Sequence, residues 1–522
     1  MLKTLAIVVG CGLSMLLLGT AVVSNDAAAD EPKKGNISPE RLAAAIASLE
    51  KLTNETLKKT GVPGIAIAIV HNDRVVYKQG FGVREAGKPE PIDADTVFQL
   101  ASVSKPIATT VLAVLVSEKQ IGWDDRVTDH DPGFEMYEPF VTRELRLRDL
   151  LCHRSGLPDH AGDLLEDIGY DRQQILHRLR YQPPDSSFRS HYAYTNFGFS
   201  EAGYAAAQSA GKSWEDLAQD KLFAPLGMTS TSYAFADYAK AENRALLHVR
   251  ENGKWVGKYT RQPDAQAPAG GASSSLNDLT RWVRLQLNRG EIDGKRLISA
   301  EALADTHTPQ MLTSFDPAQG RIGSYGLGWN VSVQRGGQAV YNHSGAFALG
   351  MRSEVSLLPE ENLGIIVLSN AAPTGIPEGL TESFFDLVLD GKLQRDWVEF
   401  ANRMFDEQVK QDAARLRDYS KDPEEPTAAL KLNAYAGRYS NDYFGVIELA
   451  EKDDGLVLRV GPKLTEFPLR HWDRDVFVYE PSGESAIGTS GVSFTIANGN
   501  QATEVVVENL DLDGQGTFKR VK

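Results

Sequence analysis

The chain has 522 residues, 42% of them hydrophobic and 24% charged, with a formal net charge of −15. That length exceeds what one hydrophobic core organises, so two domains are expected. The composition is that of an ordinary globular protein, and the acidic balance excludes a nucleic-acid partner.

Residues 1–29 read as a secretory signal. Lys3 gives a positive start, residues 5–23 are apolar, and Ala27-Ala28-Ala29 offers a small-residue cleavage site. A retained membrane anchor is the alternative. Cys11, after Val8-Val9-Gly10, lies too early in the apolar run for a lipoprotein cleavage box. Cleavage leaves Cys152 as the remaining cysteine, so a secreted or periplasmic protein without an internal disulfide is expected. No stable membrane insertion is expected after that cleavage, since no other segment is long and apolar enough.

Residues 36–59 have helical spacing, with Ser38-Pro39 as the start. Residues 64–70 (GIAIAIV) and Val75-Val76-Tyr77, on either side of Asn72-Asp73, predict a β-hairpin. Residues 98–105 (FQLASVSK) follow, and an apolar run to Val116 predicts a buried helix. Pro106 fits a first turn but disfavours helical geometry at Lys105. Ser102 and Lys105, three apart, share one face of such a helix. Serine is a weak nucleophile that needs a neighbouring base. A lysine among apolar groups loses its charge readily enough to serve, and a helix N-terminus favours developing negative charge. Ser104 is the alternative nucleophile.

Residues 147–153 (LRDLLCH) predict a helix ending at Gly156-Leu157-Pro158. His153 and His160 lack acidic or thiol company at ligand spacing, so solvated or hydrogen-bonded loop histidines are expected, with no metal. Residues 192–198 (YAYTNFG) are either core aromatics with a polar edge or a functional Tyr-x-Asn. Pro225-Leu226-Gly227-Met228 ends a helix, and Pro268-Ala269-Gly270-Gly271 enters another at 275–287. Residues 325–329 (YGLGW) read as a strand that admits a close backbone. Residues 341–346 lie near a second strand, 363–369 form a third, and 377–419 are helical. Strands at both ends with helices between predict an α/β (α+β) domain with an antiparallel sheet.

Residues 421–426 (KDPEEP) form a charged, Pro-rich linker. Beyond it the period falls to two, and about eight short runs separated by turn signals predict a small antiparallel barrel. The expected divisions are 1–29 signal peptide, 30–420 catalytic domain, 421–428 linker and 429–522 barrel. A chain ending near Ser420 is expected to stay folded, because inter-domain surfaces are commonly modest and polar.

Ser102-x-x-Lys105, Tyr194-x-Asn196 and His343-Ser344-Gly345, in that order, resemble the serine β-lactamase and penicillin-binding-protein superfamily, and specifically its class C β-lactamase-like serine hydrolases. The resemblance covers about residues 38–400 and includes residues 150–158 (LLCHRSGLP), 225–228, 268–271 and 325–329. The C-terminal region, with residues 435–439 (YAGRY), resembles the lipocalin-like barrel appended to some members. The resemblance implies that Ser102 forms an acyl-enzyme and that Tyr194, assisted by Lys105, is the general base. Asn196 then holds Lys105 and a substrate amide. His343, Gly345 and Ala346 line the substrate, with the N–H groups of Ser102 and Ala346 as oxyanion donors. No cofactor is implied. The family's β-lactamases and DD-peptidases usually carry Lys where His343 stands, which favours an esterase or D-amino-acid peptidase over a β-lactamase or DD-carboxypeptidase. A non-catalytic penicillin or peptidoglycan sensor is the alternative from another class. The implied partner is a small ester, peptide or β-lactam-like substrate, and a homo-oligomer is compatible with the sequence. A Gly-x-Ser-x-Gly elbow is absent from the sequence, which counts against an α/β-hydrolase.

Overall fold

Ser38 starts the first helix, α1 (Pro39–Thr60), by accepting a hydrogen bond from the Arg41 N–H. Gly61 ends it in the left-handed region that a Cβ disfavours. The structure, a computed structural model, describes residues 35–316, 321–334, 336–414, 417–419, 421–486, 488–497 and 501–521. The expected signal segment lies outside them. Among the described residues no helix is long and apolar enough to cross a membrane.

The predicted hairpin forms from β1 (Gly64–His71) and β2 (Arg74–Gly82), turning through Asn72 and Asp73, both with positive φ. Six later strands complete one sheet: β3 (Met311–Asp316), β4 (Arg321–Tyr325), β5 (Asn330–Val333), β6 (Ala339–Phe347), β7 (Met351–Leu358) and β8 (Leu363–Ser369). The order is β2-β1-β8-β7-β6-β5-β4-β3, antiparallel throughout. Chain ends pair at the centre, Ile67 against Val367.

Alternation along β1 assigns its two faces. Ile65, Ile67 and Ile69 join Leu42, Ala45 and Leu49 of α1 and Leu380 and Phe384 of a late helix. Ala66, Ala68 and Val70 face the helical region, with Val103, Ile107 and Val111. The helix Leu276–Leu287 packs against β1 beneath the sheet, and α2 (Ser104–Ser117) belongs to the same core. Pro106 stands at the third position of α2, where a backbone N–H has no intrahelical partner, and Lys105 before it is helical despite the bias of a following proline.

The 325–329 stretch departs from the expected strand. β4 ends at Tyr325, and residues 326–329 bend before β5. Gly328 has φ 77°, and a Cβ there would stand 3.0 Å from the Lys105 carbonyl oxygen, so the close approach is real but is made by a bend.

The C-terminal strands close into an eight-stranded antiparallel barrel: β9 (Gly437–Asn441), β10 (Gly445–Lys452), β11 (Gly455–Val460), β12 (Thr465–Asp473), β13 (Val476–Tyr479), β14 (Ser490–Ala497), β15 (Gln501–Val507) and β16 (Thr517–Arg520). Tyr435, Tyr439, Phe444, Phe477, Phe494 and Phe518 fill it as a packed core. The barrel is docked against residues 162–178. Tyr170 donates to the Phe444 carbonyl at 2.8 Å, the Gly162 N–H donates to Tyr443 Oη at 2.9 Å, and Arg178 donates to the Asp442 and Tyr443 carbonyls. Leu164, Ile168, Tyr443 and Phe444 belong to one continuous apolar cluster that spans both domains. The contact is therefore more apolar than a simple linker predicts.

Candidate active site

Ser102 lies in a single 3-10 turn, Ala101–Val103, that runs directly into α2. Ala101 has φ 45°, a conformation that costs a residue with a Cβ. The chain thus turns sharply before the serine and presents its half-buried side chain. Ser104 is excluded by geometry. It is fully buried, and its Oγ accepts the Ala272 N–H at 2.9 Å.

Lys105 is fully buried. Its Nζ lies 2.7 Å from Asn196 Oδ1, 3.0 Å from the Ala269 carbonyl oxygen and 3.2 Å from Ser102 Oγ. The first two groups can only accept, so two amine hydrogens are committed to them. What remains, a third proton or the lone pair of the neutral amine, faces Ser102. Tyr194 Oη approaches the same oxygen at 2.8 Å, and Lys105 Nζ sits 4.4 Å from the Tyr194 ring centre.

Tyr194 is fixed by the 153–163 loop. Its N–H donates to the Asp159 carboxylate, and its carbonyl accepts the His160 N–H at 2.7 Å. The Thr195 N–H donates to His153 Nδ1 at 3.2 Å. Asn196 opens the helix α3 (Asn196–Ser209) and meets Lys105 as expected. One of its amide hydrogens goes to Asp163 Oδ2 at 2.8 Å rather than into the cleft. His160 Nδ1 lies 2.7 Å from the same oxygen. Burial would lower the His160 pKa, but the hydrogen bond and charge of Asp163 outweigh it and raise the value.

His343 sits on β6 and is 1% exposed. Its Nδ1 is 2.6 Å from the Ser344 carbonyl oxygen, which can only accept, so Nδ1 carries the hydrogen. Nε2 therefore accepts from Tyr325 Oη at 2.9 Å. Burial and the charge of Lys105 push the His343 pKa down to about 3, so the ring is neutral. Both nitrogens are engaged in the wall of the site. At Gly345 a Cβ would stand 2.2 Å from the Leu100 carbonyl oxygen and 2.9 Å from Ser102 N. Only glycine lets β6 pass beside the serine. β5 pairs with β6 over Ala339–Asn342 alone, which leaves the edge at half-buried Ala346 free of β5.

The expected residues thus converge from three distant segments. Sequence reasoning missed Asp159, Asp163, Tyr325 and the Ala269 carbonyl. It read His153 and His160 as solvated or hydrogen-bonded loop histidines, and both are hydrogen-bonded. His153 is also fully buried, with its ring centre 4.5 Å from Tyr194 and 4.9 Å from Tyr325. The 150–160 stretch carried the signal, since two histidines and an aspartate follow a helix end there. Among the described residues no group of three or more metal-ligating side chains is assembled.

A family model described as beta-lactamase matches residues 49–381, and one described as a domain of unknown function (DUF3471) matches residues 421–520. The chain is 25% identical over 414 residues to the unguisins hydrolase ungD' of Aspergillus campestris (strain IBT 28561), covering 74% of each chain. It is 28% identical over 335 residues to penicillin-binding protein 4 of Amycolatopsis lactamdurans, covering 62% of this chain and 83% of that one. Among solved structures, the octameric penicillin-binding protein homologue from Pyrococcus abyssi aligns at 20% identity and TM-score 0.58, covering 91% of this chain and 99% of that one. The class C beta lactamase from Rhodobacter sphaeroides aligns at 20% identity and TM-score 0.53, covering 66% and 99%. These two likenesses concern the fold.

Proposed function

The chain belongs to the beta-lactamase family of serine hydrolases, and from that premise we propose that it is an exported enzyme that cleaves ester or amide bonds through an acyl-enzyme on Ser102. The observation that carries the proposal is the placement of Ser102 Oγ within hydrogen-bond reach of both Tyr194 Oη and Lys105 Nζ.

In this reading Ser102 Oγ attacks the carbonyl carbon and its proton passes to Tyr194. A free phenol titrates near 10, so a tyrosine base needs a cation beside it. Lys105, packed on the Tyr194 face, is that cation. The carbonyl oxygen gathers negative charge between the N–H groups of Ser102 and Ala346, each such donor contributing about 3 kcal/mol. The proton then goes to the leaving alcohol or amine, and water, activated by the same tyrosine, releases the acid.

Neutral His343 supports substrates without a carboxylate beside the scissile bond, of the ester or D-amino-acid peptide type. Relatives named as hydrolases support turnover over a binding role. Export rests on the signal-like residues 1–29. The octameric neighbour supports a homo-oligomer.

A panel of p-nitrophenyl esters, D-aminoacyl p-nitroanilides and nitrocefin tests the reading. Ester or anilide turnover with little nitrocefin hydrolysis is expected. Preferential nitrocefin hydrolysis would favour the β-lactamase alternative, and labelling by penicillin without turnover would favour the sensor.

A further inference from the structure

Glu484 stands between β13 and β14 of the barrel, yet its side chain is built into the catalytic domain. It is 21% exposed. Its Oε1 accepts the N–H of Ala348, and the Leu349 N–H also faces it. These residues open the turn that joins β6 to β7, two residues beyond Ala346.

Its Oε2 lies 3.8 Å from Nε of Arg261, a residue that is 6% exposed. Arg261 also pairs with Glu166 and lies 5.2 Å from the ring centre of Phe347, the last residue of β6. The Arg261 carbonyl accepts from Gln99 Nε2 at 2.9 Å, and Gln99 lies three residues before Ser102. The barrel loop is itself locked. Asp167 accepts the N–H groups of Glu484 and Ser485 at 2.9 and 2.8 Å. Gly483 has φ 125°, and a Cβ there would strike the Asp167 carboxylate at 2.4 Å.

We infer that Glu484 is a positioning residue for the reaction, delivered by the barrel to hold the end of β6, and with it the Ala346 oxyanion donor, in register with Ser102. A contact that only joined the domains would have no need to reach this turn. The other docking bonds, from Tyr170, Gly162 and Arg178, lie away from β6. The inference rests on the proposed roles of Ser102 and Ala346. It predicts an effect on the chemical step rather than on ground-state binding, because the oxyanion forms only in the transition state.

The test uses the full-length protein and four variants: Glu484→Ala, Glu484→Asp, Glu484→Gln and Tyr170→Phe. Glu484→Asp keeps the carboxyl but is one methylene too short for the turn. Glu484→Gln keeps an acceptor there. Tyr170→Phe removes a docking bond elsewhere. Each is assayed with a p-nitrophenyl ester and with a boronic acid, which adds the serine oxygen to boron and mimics the tetrahedral anion, with rates normalised to folded protein by circular dichroism. Glu484→Ala and Glu484→Asp should lose at least tenfold in kcat with KM within twofold, and the boronate inhibition constant should rise in the same proportion. Glu484→Gln should recover to within threefold, and Tyr170→Phe should match the wild type. If Glu484→Ala does not fold, Glu484→Asp decides. Wild-type kcat in Glu484→Asp, a loss confined to KM, or an equal loss in Tyr170→Phe overturns the inference. Absence of turnover and of Ser102 labelling in the wild type would instead overturn the proposed function.

Discussion

Tyr194 Oη and Ser102 Oγ stand 2.8 Å apart although 92 residues separate them along the chain. The Lys105 amine lies 3.2 Å from the same serine oxygen, so three proton-carrying groups share one hydrogen-bonded unit.

Ser102→Ala should therefore abolish labelling by a fluorophosphonate and essentially all turnover. Its stability should stay within about 1 kcal/mol of wild type, because one half-buried hydroxyl is a small loss in a polar cleft. Ser104→Ala should do the reverse. It strips the acceptor from the Ala272 N–H at a cost of about 1 kcal/mol and leaves labelling intact. Mass spectrometry of the labelled peptide, with a thermal melt, separates the two. Labelling of Ser102→Ala at wild-type rate would remove Ser102 as nucleophile.

Tyr194→Phe and Lys105→Ala should each lower kcat by about 10² to 10⁴. The double variant should be little worse than either, since groups acting as one unit are not additive. Multiplying losses in a double-mutant cycle would mean that the two act in separate steps.

Asp149 should matter although it touches no reacting atom. It is fully buried and receives Arg154 Nε and Arg189 Nη2, both at 2.7 Å. Asp149→Ala removes the carboxylate shared by two partly exposed guanidinium groups, which keep the Gln310 and Glu144 carbonyls, at a cost of about 1.5–3 kcal/mol. Arg154 heads the loop that fixes Tyr194, so kcat should fall along with the melting temperature. A melt unchanged within about 1 °C would contradict this account, since about 1 kcal/mol moves a melt by several degrees.

Three buried histidines should each subtract stability as pH falls, while Glu354 and Glu484, whose carboxyls burial pushes up to about 8, act in the opposite direction. Burial holds His153 far below its usual pKa and pushes His307 and His343 down to about 3. The unfolded chain takes up these protons near 6.5, whereas the folded chain does not. At these rings the unfolded state then binds more protons, so their share of the stability is lost as pH falls from about 6.5 towards 3, by up to about 1.4 kcal/mol per pH unit for each ring. Denaturant melts at pH 7, 6 and 5 check the slope. Substituting His307, which stacks on Tyr341 at 4.4 Å, by Gln removes one ring's share, so the stability of the variant relative to wild type should rise as pH falls from 7 to 5.

Removing the barrel should cost more than the sequence suggested. A chain ended after Tyr419 exposes Leu164, Ile168 and Tyr170 and takes Glu484 from Arg261. The truncated protein should aggregate or melt markedly lower, as gel filtration and a thermal melt would show. A monodisperse fragment with the wild-type melt would mean that the shared core is not energetically important.

The sequence determined whatever depends on neighbours along the chain. Period two marked the barrel strands, and Ser38 marked the start of α1. The alternating GIAIAIV run specified a two-faced strand because each side chain must choose a face. Ser102, Lys105, Tyr194, Asn196 and His343 were legible because their spacing resembles a known pattern. What bonds each side chain makes was decided only in three dimensions. His343 is neutral because burial and Lys105 make it so, and Asn196 turns an amide hydrogen to Asp163 because a distant loop delivers that carboxylate. Glu484 looks like any loop glutamate in a row of letters. It reaches Ala348, 136 residues earlier, through packing of two cores whose contact no local pattern encodes.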